Sequence, residues 1–477
     1  TTINNYAFET VPQPGLNGRK GYQPRGKTLG GSSSINAMLY VRGNRWDYDH
    51  WAALGNPGWG YDEVLPLFKR AEHNEQFADA FHGQGGPLNV TYPRFESPLS
   101  RMFLDACAHH GIAPNPDYNG AQQEGSFLYQ VTHKNGERCS AAKGYLTPNL
   151  SRSNLKVITH AVSAKVDLDQ RRATGVQFYL GNELQRVRAR REVIVSAGAF
   201  GSPQLLQLSG IGAPAALQQA GVTPVHALPG VGQNLQDHID YVQSWTVPSH
   251  TASFGASPRG IGQIARAMFE WRRQRSGMVT STIATAGAFF RSAPEVAVPD
   301  LQLVFVVALV DDHARKAHLG HGISCHVDVL RPYSRGTVGI RSSNPRVAPV
   351  IDPQFLSDER DLQLLVQGGQ VQQRIMESTA FTSVRGKMLY PVKAGDTQAM
   401  ARDIRNRADT QYHPVGTCKM GPNSDPMAVV DAQLRVKGIA GLRVADASIM
   451  PTLIGGNTNA PSIMIGEKCA DLIRAAH

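Results

Sequence analysis

The segment from residue 192 to residue 203 restricts the folds open to this chain more than any other part of the sequence. A run of valine and isoleucine at 193–195 is followed by small residues and then by Ser202 and Pro203. The apolar run predicts a buried strand, and Ser202 with Pro203 predicts the opening of a helix. Such a strand–turn–helix unit turns backbone N–H groups towards an anion. Small residues also allow simple close packing, which is the favoured interpretation when this segment is taken alone.

Hydrophobic patterns along the rest of the chain predict an α/β fold that has α+β character overall. Strands are predicted at residues 155–162, 166–168, 175–179, 186–196, 301–310, 323–330 and 442–446, and helices at 46–74 and 461–475. The early and late segments resemble nucleotide-binding structure, and the middle resembles a substrate domain. We therefore expect three segments: residues 1–235 begin a nucleotide-binding domain, residues 236–405 form an α+β substrate domain with an antiparallel sheet, and residues 406–477 return to the first domain.

Composition narrows the functional classes. With 477 residues the chain can bury a large core and form two domains. Its net charge of +10 would attract anionic ligands, but the charges are dispersed, so we interpret them as a solvated surface and expect no nucleic-acid partner. The five cysteines are odd in number and widely spaced, which predicts reduced thiols in a cytoplasmic protein and no metal site. The longest aliphatic run, 301–310, is too short to span a bilayer.

Three polar residues and one flexible segment offer candidate chemistry. Residues 25–38 are rich in glycine and serine, so their backbone could lie against a flat or phosphorylated cofactor, and the serines at 32–34 predict caps for a following helix. His413 is beside a Pro/Gly turn, Asp446 ends a predicted strand, and Asn457 precedes a helix-like run. A neutral imidazole can accept a proton, and an amide can hold an alkoxide. Taken singly, each is more often structural: a core histidine, an aspartate cap or a turn asparagine.

The order of these segments resembles the glucose–methanol–choline (GMC) flavin oxidoreductase family over nearly the whole chain. Residues 25–37 match the first signature of that family, and residues 198–212 match the second almost residue for residue. Residues 228–238 and 331–336 match its connecting landmarks. The closing block, residues 446–473, is most similar to bacterial alcohol and choline dehydrogenases.

The resemblance implies a Rossmann-like FAD-binding domain and a set of residues that would hold the cofactor. These are Gly30, Gly31, Ser33, Asn36, Ala37 and Met38 along the flavin and ribityl chain, Gly198 and Ser202 in the cofactor domain, Asp446 and Ala447 beside the ribityl–pyrophosphate region, and Asn459. The same resemblance implies that His413 and Asn457 form the catalytic pair at the reactive face of the flavin.

The function implied by the resemblance is FAD-dependent oxidation of a primary alcohol to an aldehyde, by hydride transfer to the flavin N5. His413 would be the general base, and Asn457 would hold the developing alkoxide. The implied partners are a small alcohol and an electron acceptor, which is a quinone, a cytochrome or oxygen. Choline dehydrogenase is an alternative within the family, and a hydroxynitrile lyase or an inactive fragment is an alternative of another class.

Three departures from the family pattern modify these expectations. The family begins with a strand, a Gly-x-Gly-x-x-Gly turn and an acidic residue, whereas this sequence starts at Thr1 without a methionine, a signal-like stretch or that unit. We therefore expect an FAD-binding domain incomplete at its N-terminus and weak retention of FAD. Ile35 stands where some relatives tether the flavin through a histidine, which predicts noncovalent binding. Thr285 stands where many choline-type relatives have a glutamate, which favours a neutral alcohol over a quaternary ammonium.

A further segment, residues 261–275, combines apolar residues at helical spacing with four arginines. This pattern predicts a basic amphipathic helix. One interpretation is peripheral contact with a membrane, near a quinone acceptor. The other interpretation, which the sequence alone favours, is a lid or packing helix.

Overall fold

The computed structural model describes residues 3–477, and within that range the chain forms nine α-helices. In chain order, α1 to α9 are Arg45–Ala53, Tyr61–Ala71, Pro98–His109, Gly198–Leu208, Pro214–Gln219, Pro258–Gln274, Glu359–Met376, Thr397–Arg407 and Asn459–Ala476. The strands of three or more residues are Glu72–Asn74, Leu88–Val90, Gly125–Leu128, Ala161–Asp169, Arg172–Leu180, Glu183–Arg188, Val193–Val195, Ile239–Val247, Ala284–Phe290, Leu301–Val306, Gly320–Val329, Thr337–Gly339, Val350–Asp352 and Leu442–Val444. None of the helices in the described range is long and apolar enough to cross a bilayer.

The largest sheet is antiparallel, and most of its strands come from the middle of the chain. Its strands run in the order Asp409–Thr410, Ile239–Val247, Gly320–Val329, Leu301–Val306, Ala284–Phe290 and Gly125–Leu128, with Gly255–Ala256 added beside Gly320–Val329. The central strands are buried on both faces, and one face packs against α3, α7 and α8. A sheet buried on both sides explains the continuous apolar runs in the sequence.

A second layer joins the early and late parts of the chain. The strands Val193–Val195 and Leu442–Val444 pair in parallel, with Val193 opposite Leu442. Beside them, residues 161–188 form a three-stranded antiparallel sheet. The core of this layer includes Trp51 and Trp59 together with apolar residues of α9. This pairing places the end of the chain beside an early segment.

Several predicted elements differ from those observed. The helix predicted at 46–74 is divided into α1, α2 and a short strand, because Gly55 and Gly58 adopt positive φ angles of 92° and 85° that end a helix. The serines at 32–34 lie in a single 3-10 turn, and the following α-helix is capped by Asn44 instead. Residues 155–160 are exposed and form no strand, since no described strand pairs with them. Helix α4 begins at Gly198 rather than at Ser202.

The antiparallel sheet draws strands from all three segments predicted by the sequence. Gly125–Leu128 comes from before residue 236, and Asp409–Thr410 comes from after residue 405. The division into 1–235, 236–405 and 406–477 therefore stays a prediction about domains, whereas the sheet itself crosses both boundaries.

Candidate active site

His413 and Asn457 lie side by side at the wall of a large cavity. The Nε2 atom of His413 is 3.0 Å from the Nδ2 atom of Asn457, and both residues line the cavity. His413 follows the edge strand Asp409–Thr410, and Asn457 lies in the loop that precedes α9. The fold thus brings together two residues that are 44 positions apart in the chain, as the sequence predicted.

The amide of Asn457 is oriented by a second amide. Gln302, in the strand Leu301–Val306, donates through Nε2 to the Oδ1 of Asn457 at 3.4 Å and to the hydroxyl of Tyr129 at 2.7 Å. Because the oxygen of Asn457 accepts from Gln302, its N–H group is the one directed at His413. The amide therefore offers a donor, not an acceptor, to the cavity side of the imidazole.

A second histidine, which the sequence analysis did not single out, supports His413 from behind. Nδ1 of His238 is 2.9 Å from Nδ1 of His413. Nε2 of His238 is 3.0 Å from the carbonyl oxygen of Leu330 and 3.1 Å from that of Ile454. Its sequence signal was its place as the last residue of the landmark 228–238, but nothing in that landmark shows its two carbonyl partners.

The backbone of His413 is fixed by a buried carboxylate. Oδ1 of Asp237 accepts the His413 backbone N–H at 2.8 Å, and Oδ2 accepts from the hydroxyl of Thr410 at 2.5 Å. Burial raises the pKa of Asp237 to about 6, although the hydrogen bond from Thr410 and the charge of Arg25 oppose that shift. The loop that carries the imidazole is therefore tied directly to the residue that precedes His238.

Both imidazoles are neutral in this environment. Burial lowers the pKa of His413 well below its usual range, and the neighbouring His238 and Arg25 lower it further. Burial also lowers the pKa of His238 to about 3, although its two carbonyl partners act in the opposite direction. An unprotonated imidazole at the cavity wall can accept a proton from a hydroxyl group.

The cavity is about 3050 Å³ and collects the residues that were predicted to bind a cofactor. Ligand sites are usually about 300–1,000 Å³, so this one has room for an extended cofactor together with a substrate. The predicted residues that line it are Gly30, Gly31, Ser33, Asn36, Ala37, Met38, Gly198, Asp446, Ala447 and Asn459. Ser202 is the exception and does not line the cavity.

The glycine-rich loop presents mainly backbone to the cavity. Gly30 and Gly31 have positive φ angles of 84° and 55°, which a side chain would strain. The hydroxyl of Ser33 donates to the Gly30 carbonyl and accepts from the backbone N–H of Ala141. The Oδ1 of Asn36 accepts from Arg138 at 2.7 Å. These polar side chains therefore hold the loop in shape, while its backbone is available to a flat ligand.

Asp446 joins the end of one strand to the start of α4. Its Oδ2 accepts from the Gly198 backbone N–H at 2.9 Å and from the Ser202 hydroxyl at 2.5 Å, and its Oδ1 accepts from the Ser448 backbone N–H at 2.8 Å. Ser202 is fully buried, so the expectation that it contacts the cofactor is corrected: it supports Asp446 instead. Its position within α4, rather than at the helix start, explains the difference.

The charge of the lining fits a cofactor with a pyrophosphate. Seven cationic side chains line the cavity against three carboxylates; the cations are Lys20, Arg25, Lys27, Arg152, Arg341, Arg346 and Arg474, and the acids are Glu9, Asp446 and Glu467. Helix α9 begins at the cavity with no capping side chain and no acidic residue in its first turn. A helix N-terminus in a cationic lining attracts an anion. The residues present therefore fit FAD.

Ile35 and Thr285, the two residues that depart from the family pattern, differ in whether they line the cavity. Ile35 lines the cavity and has no nucleophilic group. Thr285 does not line the cavity: it is buried in the strand Ala284–Phe290, where its Oγ1 accepts from the hydroxyl of Ser100 at 2.8 Å. From this segment, Thr282, Ile283 and Ala284 face the cavity instead. None of these three residues carries a carboxylate.

A base–amide pair beside a cationic cavity, in a fold that combines a parallel strand pair with a large antiparallel sheet, is typical of an oxidoreductase that binds a nucleotide cofactor. Family models described as GMC oxidoreductase match residues 6–240 and 332–466. The chain belongs to the GMC oxidoreductase family.

Similar proteins agree with this assignment. The alcohol dehydrogenase (acceptor) of Pseudomonas putida is 44% identical over 98% of this chain and 85% of its own length. An oxygen-dependent choline dehydrogenase of Brucella anthropi is 41% identical with the same coverage. Among solved structures, pyridoxine 4-oxidase from Mesorbium loti has a TM-score of 0.89 at 29% identity, covering 99% of this chain and 89% of that one. An FAD-dependent oxidoreductase from Chaetomium thermophilum has a TM-score of 0.91 at 26% identity, covering 100% and 91%.

These findings confirm the predicted family, the fold class and the class of enzyme. The protein is an FAD-dependent oxidoreductase that acts on CH–OH groups.

Proposed function

We propose that this enzyme oxidises a primary alcohol to an aldehyde, with His413 as the general base and Asn457 as the residue that holds the substrate oxygen. The observation that carries the proposal is the 3.0 Å contact between Nε2 of His413 and Nδ2 of Asn457 at the cavity wall. A hydroxyl group inserted between them can donate its proton to Nε2 and accept a hydrogen bond from Nδ2. Both interactions strengthen as the oxygen gains negative charge.

We further propose that His238 fixes the tautomer of His413. Two carbonyl oxygens contact Nε2 of His238, and carbonyl oxygens only accept, so that nitrogen carries the proton. In a neutral imidazole the other nitrogen, Nδ1, is then an acceptor, and His413 must donate to it through its own Nδ1. This leaves the Nε2 of His413 unprotonated on the cavity side. The donor amide of Asn457 at that nitrogen supports the same tautomer independently.

FAD, when bound, would supply the two-electron acceptor for the alcohol. We propose that the backbone of the loop at Gly30 and Gly31, the turn at Ala447 and the N-terminus of α9 hold it. Binding is proposed to be noncovalent, since Ile35 offers no nucleophile. Precipitation of the flavin-loaded protein with acid is expected to leave all flavin in solution, and flavin in the washed pellet would contradict this.

The polypeptide of these 477 residues is proposed to retain FAD weakly. A Gly-x-Gly-x-x-Gly turn is not within it, and that turn places a helix N-terminus against the pyrophosphate in dinucleotide-binding folds. Purification without added flavin is expected to give protein with little absorbance in the flavin bands. A stoichiometric yellow product would overturn this proposal and leave the catalytic one intact.

Choline is the second candidate substrate, because oxygen-dependent choline dehydrogenases are among the similar proteins. A quaternary ammonium favours a carboxylate or an aromatic cage. Thr282, Ile283 and Ala284, which line the cavity, provide neither. The part of the lining that this segment contributes therefore favours a neutral alcohol over choline. The electron acceptor is proposed to be a quinone, a cytochrome or oxygen.

The test is a panel of alcohols, with choline included, assayed with an artificial dye acceptor on FAD-loaded protein. A neutral primary alcohol is expected to be oxidised faster than choline. The variant His413→Ala is expected to lower alcohol turnover at least ~100-fold, the scale of a lost general base. Its matched control is His226→Ala, which removes a histidine that bonds the Lys437 carbonyl outside the cavity.

The same assay separates the alternatives of another class. An alcohol added without oxygen is expected to bleach the bound flavin. A hydroxynitrile lyase would leave the flavin oxidised, and an inactive fragment would show neither bleaching nor turnover. Near-normal turnover of His413→Ala would remove this residue from the mechanism.

A further inference from the structure

Helix α6, Pro258–Gln274, packs against the rest of the protein through only a narrow part of its surface. Within it only Gly260 and Ala267 are buried, and the indole of Trp271 donates to the Gly136 carbonyl at 3.0 Å. The single acidic residue of the helix, Glu270, is turned inward, where it accepts from the hydroxyl of Ser276. The rest of the helix surface is therefore free of acidic groups.

The outer side of α6 carries an exposed apolar stripe. Its residues are Ile261, Ile264, Ala265, Met268 and Phe269, which follow the i, i+3, i+4, i+7, i+8 spacing of one helix face. Ile261 is 70% exposed and Phe269 is 61% exposed. A lid or packing helix would bury such a stripe, so the interpretation favoured by the sequence alone does not fit this face.

One more apolar residue extends the stripe beyond the start of the helix. Leu319 is 91% exposed and lies beside Ala256 in an isolated bridge, two residues before α6. A cluster of exposed large apolar residues on one side of a protein marks an interaction surface rather than ordinary exposure.

Cationic groups border the stripe. Arg259, Arg266, Arg272 and Arg273 are all exposed, and none of them forms an ion pair with any residue of the described range 3–477. The guanidinium of Arg273 lies over the ring of Phe269 at 5.5 Å. Arginine side chains of this kind can reach phosphates while their stems stay on apolar surface.

A basic pocket of about 1030 Å³ adjoins the C-terminal end of α6. Its charged lining residues are Arg94, Lys134, Lys143, Arg273, Arg275 and Glu137. Glu137 pairs with Lys143 at 2.5 Å and with Arg275 at 2.9 Å. The remaining three cations have no carboxylate partner within residues 3–477, so the pocket is suited to an anionic group.

We propose that α6, with Leu319 and the basic pocket, binds the surface of a bilayer that contains anionic phospholipids. The apolar stripe would enter the acyl boundary, the arginines would contact lipid phosphates, and the pocket would take a head group. A second copy of this chain fits the surface poorly, because a symmetric contact would place these arginines against one another. The proposal does not depend on the substrate or on His413, since it concerns a separate surface.

The test is co-sedimentation of the full 477-residue chain with vesicles of phosphatidylcholine, alone or mixed with phosphatidylglycerol. The chain is expected to bind only the mixed vesicles, and excess inorganic phosphate is expected to leave most of that binding intact. The variant Ile261→Ser/Phe269→Ser is expected to lower the partition coefficient at least ~10-fold. Each replacement among Arg266→Gln, Arg272→Gln and Arg273→Gln is expected to lower it about 5-fold.

The matched control is Leu184→Ser/Val187→Ser, which removes two apolar side chains exposed to a similar degree on the strand Glu183–Arg188. It is expected to bind like the unmodified chain, and thermal unfolding checks that all variants are folded. Equal binding to neutral and mixed vesicles, no binding at all, or unchanged binding by the Ile261→Ser/Phe269→Ser variant would each overturn the proposal. A dimer in light scattering that this variant dissociates would also overturn it, because a second copy would then cover the stripe.

Discussion

His413 is held on both sides by groups whose hydrogen-bonding roles are fixed, and its environment disfavours the charged form. Burial, His238 and Arg25 all lower the pKa of His413. Asp328, 3.8 Å from His238, does not counter this, because burial raises its pKa well above its usual range and keeps it neutral. A general base is active when unprotonated. We therefore expect kcat/KM for the alcohol to be level from pH 8 down to about 6.5, where an ordinary histidine is already half protonated.

The measurement is a pH–rate profile on FAD-loaded protein with a saturating dye acceptor. The expected loss of rate lies entirely on the acid side of pH 6.5. An apparent pKa at or above that value would mean that burial does not lower the pKa of His413. Asp237, whose pKa is raised to about 6, also becomes protonated in this acid range and contributes to the loss of rate.

His238 acts through His413 and is therefore a positioning residue. In His238→Leu no acceptor remains for Nδ1 of His413, and the proton is free to move to Nε2, where it blocks the base. We expect kcat to fall ~10-fold or more with KM changed little, since general acid–base catalysis is worth about 10²–10⁴. His238→Asn places an amide oxygen near the former Nδ1 and is expected to restore much of the rate.

A purely structural role for His238 would give a different pattern. Both variants would then lose thermal stability and activity together, and His238→Asn would not be more active than His238→Leu. The decisive comparison is the ratio of kcat between the asparagine and leucine variants at equal flavin loading. A ratio near one would show that the tautomer of His413 does not depend on this contact.

At the scale of elements, one carboxylate joins a strand to a helix. Asp446 follows the strand Leu442–Val444 by two residues and accepts three hydrogen bonds, two of them from the first turns of α4. Asp446→Ala leaves Ser202 and two backbone N–H groups without that partner in a buried setting. We expect the free energy of unfolding to fall by about 2–4 kcal/mol, measured by urea denaturation.

Ser202→Ala is the matched variant for this joint, because it leaves the carboxylate in place and removes one of its three bonds, together with the bond that Ser202 accepts from the Ala197 backbone N–H. It is expected to lower the free energy of unfolding by about 1–2 kcal/mol, less than Asp446→Ala. Equal losses in the two variants would contradict the view that Asp446 carries the connection between these elements.

The sequence predicted elements well where a pattern is local, and less well where distant segments decide. The strands at 166–168 and 175–179 and the closing helix were confirmed, because apolar spacing alone specifies them. The helix predicted at 46–74 was wrong in extent, since two glycine turns override its periodicity. Motif order gave His413 and Asn457 as candidates, but His238 and Gln302 were missed. Their roles depend on carbonyls and amides brought together only by the fold.

At the scale of the whole molecule, the site is assembled from parts of the chain that are far apart. The glycine-rich loop, residues 282–284, the start of α4 and the start of α9 each contribute to the wall of the cavity. Cationic residues that are dispersed along the sequence come together in the fold, where seven of them and three carboxylates line one cavity. From the sequence we interpreted these charges as a solvated surface, because charge dispersed along a chain does not reveal which residues converge in space.

This uneven lining leads to a prediction about FAD binding itself. The pyrophosphate is anionic, and the excess of cations in the lining attracts it over a distance that salt screens. We expect the Kd of the 477-residue chain for FAD to rise roughly 10-fold between low salt and about 1 M salt. Binding would be measured by the quenching of flavin fluorescence. Riboflavin, which has the same ring without phosphates, is the control ligand and should bind with little dependence on salt. If riboflavin and FAD weakened equally, the cationic lining would not contribute to cofactor affinity, and the flavin ring would be held by shape and apolar contact alone.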